Sequence, residues 1–196
     1  MSITNGYCTL AELKSYLDID TSVTKFDDEL EDCINGISRW IDEHCNTRFY
    51  ESATDETKYF TPKTGRYCPI NFLLSITSLK TDDDFDGVFE SEWASTDYNL
   101  VEYNDYPKFG IETTLYGDFY FSPLLPRSVE VVGKWGYSST TPPNVKLACK
   151  LQSARMFKRR DSILGIQGTS QFGMVRLMAS EDPDILSIIN AYRSVV

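Results

Sequence analysis

The chain has 196 residues, of which 29 are acidic and 19 basic, so its net charge is −10 with the single histidine neutral. Its length fits one domain, or one domain with a large insertion. A hydrophobic share of 41% and a charged share of 24% are typical of a soluble globular protein. The acidity argues against a free-standing nucleic-acid binder, which needs a basic surface to displace counterions.

Two further features limit where such a protein can act. The N-terminal sequence lacks the charged and apolar regions of a signal peptide, and no apolar run approaches the ~20 residues that a membrane helix needs. We therefore expect no membrane partner. The five cysteines are odd in number and widely spaced, which predicts buried or free thiols in a reducing compartment rather than a disulfide framework.

The first third of the sequence is predicted to be helical. Thr9 and Glu12 form a capping-box pattern, which predicts a short helix over 10–17. Apolar residues then recur at steps of three and four over 27–46, and acidic residues crowd the first turns, where the helix dipole favours them. Gly36 lies within this second helix and costs about 1 kcal/mol relative to Ala, so we expect a close neighbour there.

The middle of the chain changes to a strand-like pattern rich in β-branched and aromatic residues. It predicts five or six strands, mostly antiparallel. The predicted strands cover 57–61, 72–81, 97–103, 111–121 and 127–137, and the predicted loops cover 62–69, 82–90 and 104–110.

Prolines mark the start of two C-terminal helices, predicted over 143–160 and 183–194, because proline is favoured in a first helical turn. Three glycines between them predict a flexible stretch. The whole pattern predicts an α+β fold. In it, a small helical bundle formed by 1–47 and 140–196 carries an inserted, mostly antiparallel β-rich region at 48–139.

Enzyme motifs are absent from this sequence: it has no CxxC, HExxH, GxSxG, P-loop or strand-linked GxGxxG pattern. The single histidine, His44, falls on the last turn of a predicted helix, where an imidazolium stabilises the helix end. Cys33 and Cys45 lie on one apolar stripe, which favours core packing over metal binding. We therefore predict that the protein is not an enzyme.

The best local motif is a D-x-D-x-D-G sequence between two predicted strands. Alternate carboxylates in a loop that curls at a glycine can converge on one hard cation. The twelfth position, where an EF-hand needs Glu, is Trp93, so this is not an EF-hand. Two interpretations stay open, a calcium-binding hairpin loop and a solvated acidic turn. The candidate calcium ligands are Asp82, Asp84, Asp86, the Val88 carbonyl and Glu90.

The third predicted helix is strongly basic, with six Lys and Arg residues against Asp161 alone. This gives the segment a charge of +5 and leaves −15 for the rest of the chain. The helix is either a solvated face, a contact for DNA phosphate, or a contact for an acidic partner or neighbouring subunit. The residues are Lys146, Lys150, Arg155, Lys158, Arg159 and Arg160.

The segment that follows, 162–182, has three glycines, scattered apolar residues and almost no charge. Such a segment is poor at folding alone yet too apolar for a plain linker. It is predicted either to dock on a partner or neighbouring subunit, or to form a loop over the protein's own core.

The order of segments resembles that of a known protein family. The sequence runs from "TLAELKSYL" through "SRWIDEHCNTRFY", "LLSITSLKTDDDFDGVFESEW", "DYNLVEYND" and "RSVEVVGKWGYS" to "PPNVKLACKLQSARMFKRRDSILGIQG". This order resembles the head–tail connector (adaptor) proteins of long-tailed bacteriophages and gene transfer agents, in particular the longer type with a β-rich insertion. The most specific parts lie at 41–50, 82–93, 133–138 and 157–165.

The resemblance implies a structural virion protein without enzyme activity. Such adaptors form a homo-oligomeric ring of about a dozen copies below the portal protein. The ring extends the DNA channel, and double-stranded DNA passes through it during packaging and ejection without sequence-specific binding. It also provides the docking surface for a stopper or tail-completion protein. The implied location is the virion neck, and the host cytoplasm during assembly.

The same resemblance gives the apolar segment and the acidic charge a meaning. The C-terminal segment is expected to reach the portal, and acidic channel walls would repel phosphate. Two other functions stay open from the residues alone, a calcium-dependent interaction domain and a packaging accessory that contacts DNA through the basic helix. The expected portal-docking residues are Ile166, Phe172, Met174, Val175 and Leu177.

Overall fold

A computed structural model describes residues 2–115, 117–160, 166–169, 173–176 and 182–193. It confirms the predicted α+β class, with helices at both ends of the sequence and an antiparallel sheet between them. In chain order the elements are α1 (Leu10–Tyr16), α2 (Asp27–Cys45), β1 (Glu56–Phe60), β2 (Tyr67–Thr81), β3 (Ser91–Glu92), β4 (Tyr98–Val101), β5 (Lys108–Thr113), β6 (Val129–Trp135), α3 (Pro143–Arg159), β7 (Ile166–Thr169), β8 (Gly173–Arg176) and α4 (Pro183–Asn190).

The chain divides into two compact units. We call residues 1–47 with 141–196 the helical unit, and residues 48–140 the sheet unit. No helix in the described part of the chain is long and apolar enough to cross a membrane.

Local sequence signals explain the start of the first helix. The Thr9 hydroxyl accepts a hydrogen bond from the Glu12 N–H at 3.2 Å, and the Glu12 carboxylate accepts one from the Thr9 N–H at 2.9 Å. This is the predicted capping box, and it satisfies two N–H groups that a helix start would otherwise leave unpaired. The helix ends at Tyr16, one residue earlier than predicted.

The core of the helical unit lies between α2, α3 and α4. The apolar stripe predicted on α2 is buried, and it packs on α3, which also contacts α1 and α4. Burial of this stripe stabilises the helices, since most helical stability in proteins comes from tertiary packing of an amphipathic face. The fully buried side chains of this core include Leu13, Leu30, Ile34, Ile41, Val145 and Ile189.

Gly36 corrects one expectation. A Cβ built at this position meets nothing within 4 Å among the described residues. The predicted close neighbour is therefore wrong, and the helix carries the glycine without a packing reason within this part of the chain.

The connection between α1 and α2 is held by a buried lysine that the sequence pattern did not single out. Lys14 is only 3% exposed, and its ammonium donates to the Val23 carbonyl at 2.9 Å and to the Thr21 carbonyl at 3.3 Å. It also lies 2.5 Å from a carboxylate oxygen of Asp27. A buried ammonium needs such partners because its desolvation is costly, so this side chain fixes the path of the loop.

The sheet unit contains a fully antiparallel sheet with the strand order β1-β6-β2-β5-β4, and β3 pairs with β2. The long strand β2 is central: it pairs with β5 over its first part and with β6 over its second. One face of the sheet covers an aromatic core in which Trp93 stacks on Phe119 and Phe121, with ring centroids 5.2 and 4.7 Å apart.

Several element ends differ from the prediction. The strand predicted over 111–121 ends at Thr113, because the aromatic residues that follow pack on Trp93 from a loop. The predicted loops at 62–69 and 104–110 are shorter, since β2 begins at Tyr67 and β5 at Lys108. The last helix ends at Asn190.

Two glycines of the segment 133–138 occupy places where a side chain does not fit. A Cβ at Gly133 would lie 2.1 Å from the Ser75 carbonyl oxygen, where β6 and β2 approach closely. Gly136 has φ +145°, and a Cβ there would lie 2.2 Å from the Tyr50 carbonyl oxygen. Backbone crowding of this kind requires glycine, so this segment has a structural reason for its sequence.

Candidate functional site

The six basic residues of the third helix are partly paired within the helical unit. The Lys146 ammonium lies 2.9 Å from Glu12, and an Arg155 guanidinium nitrogen lies 3.0 Å from Asp182. Arg160, just after α3, forms an ion pair with Glu29 of α2. At least three of the six positive charges therefore face acids of the same unit, which lowers the charge that this helix offers to an external anion.

Two of these basic side chains form cation–π contacts with aromatic rings of the same unit. The Lys150 ammonium lies 5.7 Å from the centroid of the Tyr16 ring. The Arg160 guanidinium lies 4.4 Å from the Phe26 ring centroid and 4.0 Å from that of Phe157. Such cation–π contacts are worth about 0.5–1 kcal/mol at exposed sites, so these side chains also contribute to packing inside the unit.

Lys158 and Arg159 are exposed at the end of α3 and line a cleft of about 370 Å³ beside α4. Residues of both charges line the cleft, because Asp182 and Asp184 belong to its lining as well. Its walls suit a polar partner surface better than a polyanion, since they carry acids as well as bases. The lining residues are Tyr16, Leu151, Ala154, Arg155, Lys158, Arg159, Asp182, Asp184 and Ile185.

The loop after β2 is built around one buried carboxylate. Asp82 is 4% exposed, and its two carboxylate oxygens accept hydrogen bonds from the Phe85 N–H at 2.7 Å and the Gly87 N–H at 2.9 Å. Phe85 and Gly87 have positive φ, +65° and +89°. The loop curls at this glycine, as its sequence predicts.

The predicted calcium-ligand carboxylates come together in this loop. Asp82, Asp84, Asp86 and Glu90 each place a carboxylate oxygen within 4.8 Å of the others. The fifth predicted ligand, the carbonyl of Val88, belongs to a residue whose N–H donates to Asp86 at 2.8 Å. Oxygen ligands in this number suit a hard divalent cation, and three of the four carboxylate residues are exposed, as a solvated acidic turn also requires.

The apolar segment between α3 and α4 contains a two-stranded antiparallel sheet formed by β7 and β8. The flexible stretch predicted here from its glycines is therefore in part a hairpin, in which Gly168 pairs with Met174. Of the predicted docking residues, Ile166, Met174 and Val175 lie in these strands, whereas Phe172 and Leu177 lie outside the described residues.

His44 has a packing role in the helical unit. Its Nε2 lies 2.9 Å from the Asn190 side-chain oxygen, and its ring lies 5.6 Å from that of Trp40. The contact joins the end of α2 to the end of α4, and the stabilisation of the helix end by an imidazolium stays a prediction.

Sequence reasoning missed a pair of thiols. All five cysteines are free, and the sulfur atoms of Cys8 and Cys149 lie 3.7 Å apart in the core of the helical unit. No spacing rule points to this pair, because the two residues are 141 positions apart in the sequence.

Comparisons with known proteins give a fold likeness only. No protein-family model matches the chain, and no curated protein matches it. Solved structures do match, and two of them match over nearly their whole length. A chain of "Neck of empty GTA particle computed with C6 symmetry" has a TM-score of 0.60 at 16% sequence identity, covering 100% of this chain and 94% of that chain. A chain of "Virion of native gene transfer agent (GTA) particle" has a TM-score of 0.63 at 17% identity, with the same coverage. The chain therefore shares its fold, across both units, with a component of gene transfer agent particles.

Proposed function

We propose that this chain is a structural neck protein, a head–tail adaptor that forms a ring below a portal protein. The ring extends the DNA channel and provides the docking surface for a stopper or tail-completion protein. The observation that carries the proposal is the fold likeness, which spans 100% of this chain and includes the inserted sheet. The ordered segments of the sequence support the same assignment independently.

The ring requires an interface between two different surfaces of the same chain. A ring of about a dozen copies is compatible with the C6 symmetry of the similar neck structure, because twelve is a multiple of six. The particle neck is the proposed location, with assembly in the host cytoplasm.

The charge distribution supports a channel that lets DNA pass. In the sheet unit, 15 acidic residues stand against eight basic ones, a net charge of −7, so most of the excess acid belongs to this unit. Acidic walls repel phosphate and prevent tight binding. The internal ion pairs of Lys146, Arg155 and Arg160 reduce the positive charge that DNA would otherwise meet.

The β7–β8 hairpin supports a portal contact. In the described residues it pairs with no strand outside the hairpin, and an isolated two-stranded hairpin is marginally stable in water. It gains stability by docking, and we assign the portal-docking role to Ile166, Phe172, Met174, Val175 and Leu177 as the sequence resemblance implied.

Binding to the portal protein of the same particle tests the proposal. The test variant carries Met174→Ser and Val175→Ser, and the matched control carries Leu115→Ser and Leu124→Ser, two exposed leucines of the sheet unit. We expect both variants to keep the wild-type circular dichroism spectrum. Only the hairpin variant should lose portal binding, by tenfold or more in sedimentation or interferometry. Equal binding by the two variants would remove the docking role from the hairpin.

Two other functions have their own tests. A packaging accessory predicts salt-dependent DNA binding that weakens when Lys146, Lys150 and Arg160 become Ala; the internal ion pairs disfavour it. A calcium-dependent interaction domain predicts heat on calcium titration, and the cluster of four carboxylates favours that experiment.

A further inference from the structure

Two thiols are in contact in the core of the helical unit. Cys8 is 3% exposed and Cys149 is 0% exposed, and their sulfur atoms lie 3.7 Å apart. The other buried cysteines differ, because the Cys45 and Cys68 thiols donate to backbone carbonyls at 3.5 and 3.7 Å. The contact therefore sets the Cys8–Cys149 pair apart.

The surroundings of Cys149 favour reaction at its sulfur. Its sulfur lies 3.5 Å from the Ser38 hydroxyl and 3.9 Å from the Ser153 hydroxyl. The contact with the Cys8 thiol is the main cause that lowers the pKa of Cys149 to about 7, whereas the same contact and burial raise the pKa of Cys8. A thiolate is the reactive form of cysteine, so Cys149 is the attacking sulfur and Cys8 the resolving one.

The positions of Cys8 and Cys149 in the chain mean that a disulfide between them would strongly affect stability. Cys8 lies in the segment before α1, and Cys149 lies in α3, so the two halves of the helical unit meet at this contact. A disulfide here would close a loop that contains the whole sheet unit. Closing a long loop restricts the unfolded chain strongly.

We propose that Cys8 and Cys149 form a disulfide on exposure to a peroxide oxidant and so lock the N-terminal segment onto α3. The Cys149 thiolate attacks one peroxide oxygen and the O–O bond breaks. Hydroxide is the leaving group, and Cys149 becomes a sulfenic acid. The Cys8 sulfur then attacks the Cys149 sulfur. The S–S bond forms, the S–O bond breaks, and the oxygen leaves as water with the Cys8 proton. The sulfur separation must fall from 3.7 Å to about 2.05 Å, and Cys8 lies in a segment, residues 2–9, that has no regular secondary structure.

The timing of the reaction rests on the proposed function, whereas the bond itself does not. A neck protein is assembled in a reducing cytoplasm and released with the particle into an oxidising medium. The thiols would stay reduced during assembly, and the disulfide would form afterwards, when the ring no longer needs to rearrange.

Peptide mapping of the full-length protein tests the disulfide. The reduced protein is treated with hydrogen peroxide, alkylated under denaturing conditions and digested with trypsin, which cleaves after Lys14, Lys146 and Lys150. We expect a cross-linked pair of peptides, residues 1–14 with 147–150, and a melting temperature higher by roughly 5–15 °C that returns on reduction. Cys45→Ser and Cys68→Ser should keep the cross-link, and Cys8→Ser should lose it.

Recovery of both peptides in alkylated form, or a sulfinic acid on Cys149 without a cross-link, would overturn the proposal. The result in the wild-type protein decides the matter even if Cys8→Ser does not fold. Portal binding of the reduced wild-type protein is measured separately. A reduced protein that binds portal but never forms the disulfide contradicts this inference alone, and one that forms the disulfide but never binds portal contradicts the proposed function alone.

Discussion

Replacing Gly133 with Ala tests whether the close approach of β6 and β2 holds the sheet unit together. The added Cβ would lie 2.1 Å from the Ser75 carbonyl oxygen and 3.1 Å from the Ile76 Cα. Ordinary contact begins at about 3.4 Å, so the strands must separate by about 1.3 Å at this point. Both of these atoms belong to the backbone and cannot rotate away.

The cost follows from the position of β6 in the sheet. Because β6 pairs with both β1 and β2, a shift of β6 disturbs two ladders. Overpacking of this kind costs about 3 kcal/mol at the upper end of its usual range. In a unit of this size that lowers the melting temperature by roughly 10–20 °C.

Differential scanning calorimetry measures this effect, and Gly36→Ala is the matched control. A Cβ at Gly36 meets nothing within 4 Å in the described chain, so Ala should stabilise α2 by about 1 kcal/mol and raise the melting temperature. The same substitution, glycine to alanine, should therefore lower the melting temperature at Gly133 and raise it at Gly36. A Gly133→Ala protein that melts within 2 °C (roughly 0.5 kcal/mol) of the wild type would refute the reasoning.

Three further predictions concern charged groups. Lys14→Met should lower the free energy of unfolding, measured in urea, by about 2–4 kcal/mol, because it leaves buried acceptors without a donor. The control Lys25→Met, at an exposed lysine, should change this free energy by less than about 0.5 kcal/mol. Losses of similar size in the two variants would contradict the role of Lys14. Asp82→Ala should lower the free energy of unfolding by about 1–2 kcal/mol, because it removes the acceptor of two N–H groups. Any heat of calcium binding measured by titration calorimetry should vanish in this variant but persist in Asp83→Asn. No heat up to millimolar calcium in the wild type would end the calcium hypothesis. The Glu12 carboxylate accepts a hydrogen bond from the Thr9 N–H and lies beside Lys146, and both contacts lower its pKa below the usual 4.5. Its stabilising contribution is therefore present above pH 4.5 and is lost as the pH falls through the lowered pKa. Glu12→Gln should make the free energy of unfolding fall less steeply with acid, and identical pH curves for the variant and the wild type would exclude this effect.

Local signals in the sequence predicted much of the fold. The capping box at Thr9, the apolar stripe of α2 and the proline at the start of α4 are each decided by neighbours within a few residues. The change from helical to strand periodicity near residue 48 likewise depends only on local pattern. These features follow from backbone hydrogen bonding and from burial of one face.

Features that depend on distant partners were not predictable. Phe119 and Phe121 alternate like a strand, but Trp93 holds them in a loop. The burial of Lys14 depends on loop carbonyls that only the folded chain brings to it. The glycines around β7 and β8 indicated flexibility, and the hairpin depends on a pairing register that composition does not encode.

The candidate sites divide in the same way. The carboxylates after β2 come together because a short loop spaces them, so sequence could predict their convergence. The basic helix was predicted from charge alone, and the acids that pair with it come from α1, α2 and the start of α4. Long-range ion pairs of this kind need the tertiary fold.

Cryo-electron microscopy of the protein mixed with the portal protein of the same particle tests the central claim most directly. We predict a closed ring of about a dozen copies on one end of the portal, coaxial with its channel, and made of the chain described above. A protein that stays monomeric and never joins portal or neck particles, at concentrations where the portal itself is assembled, would contradict it.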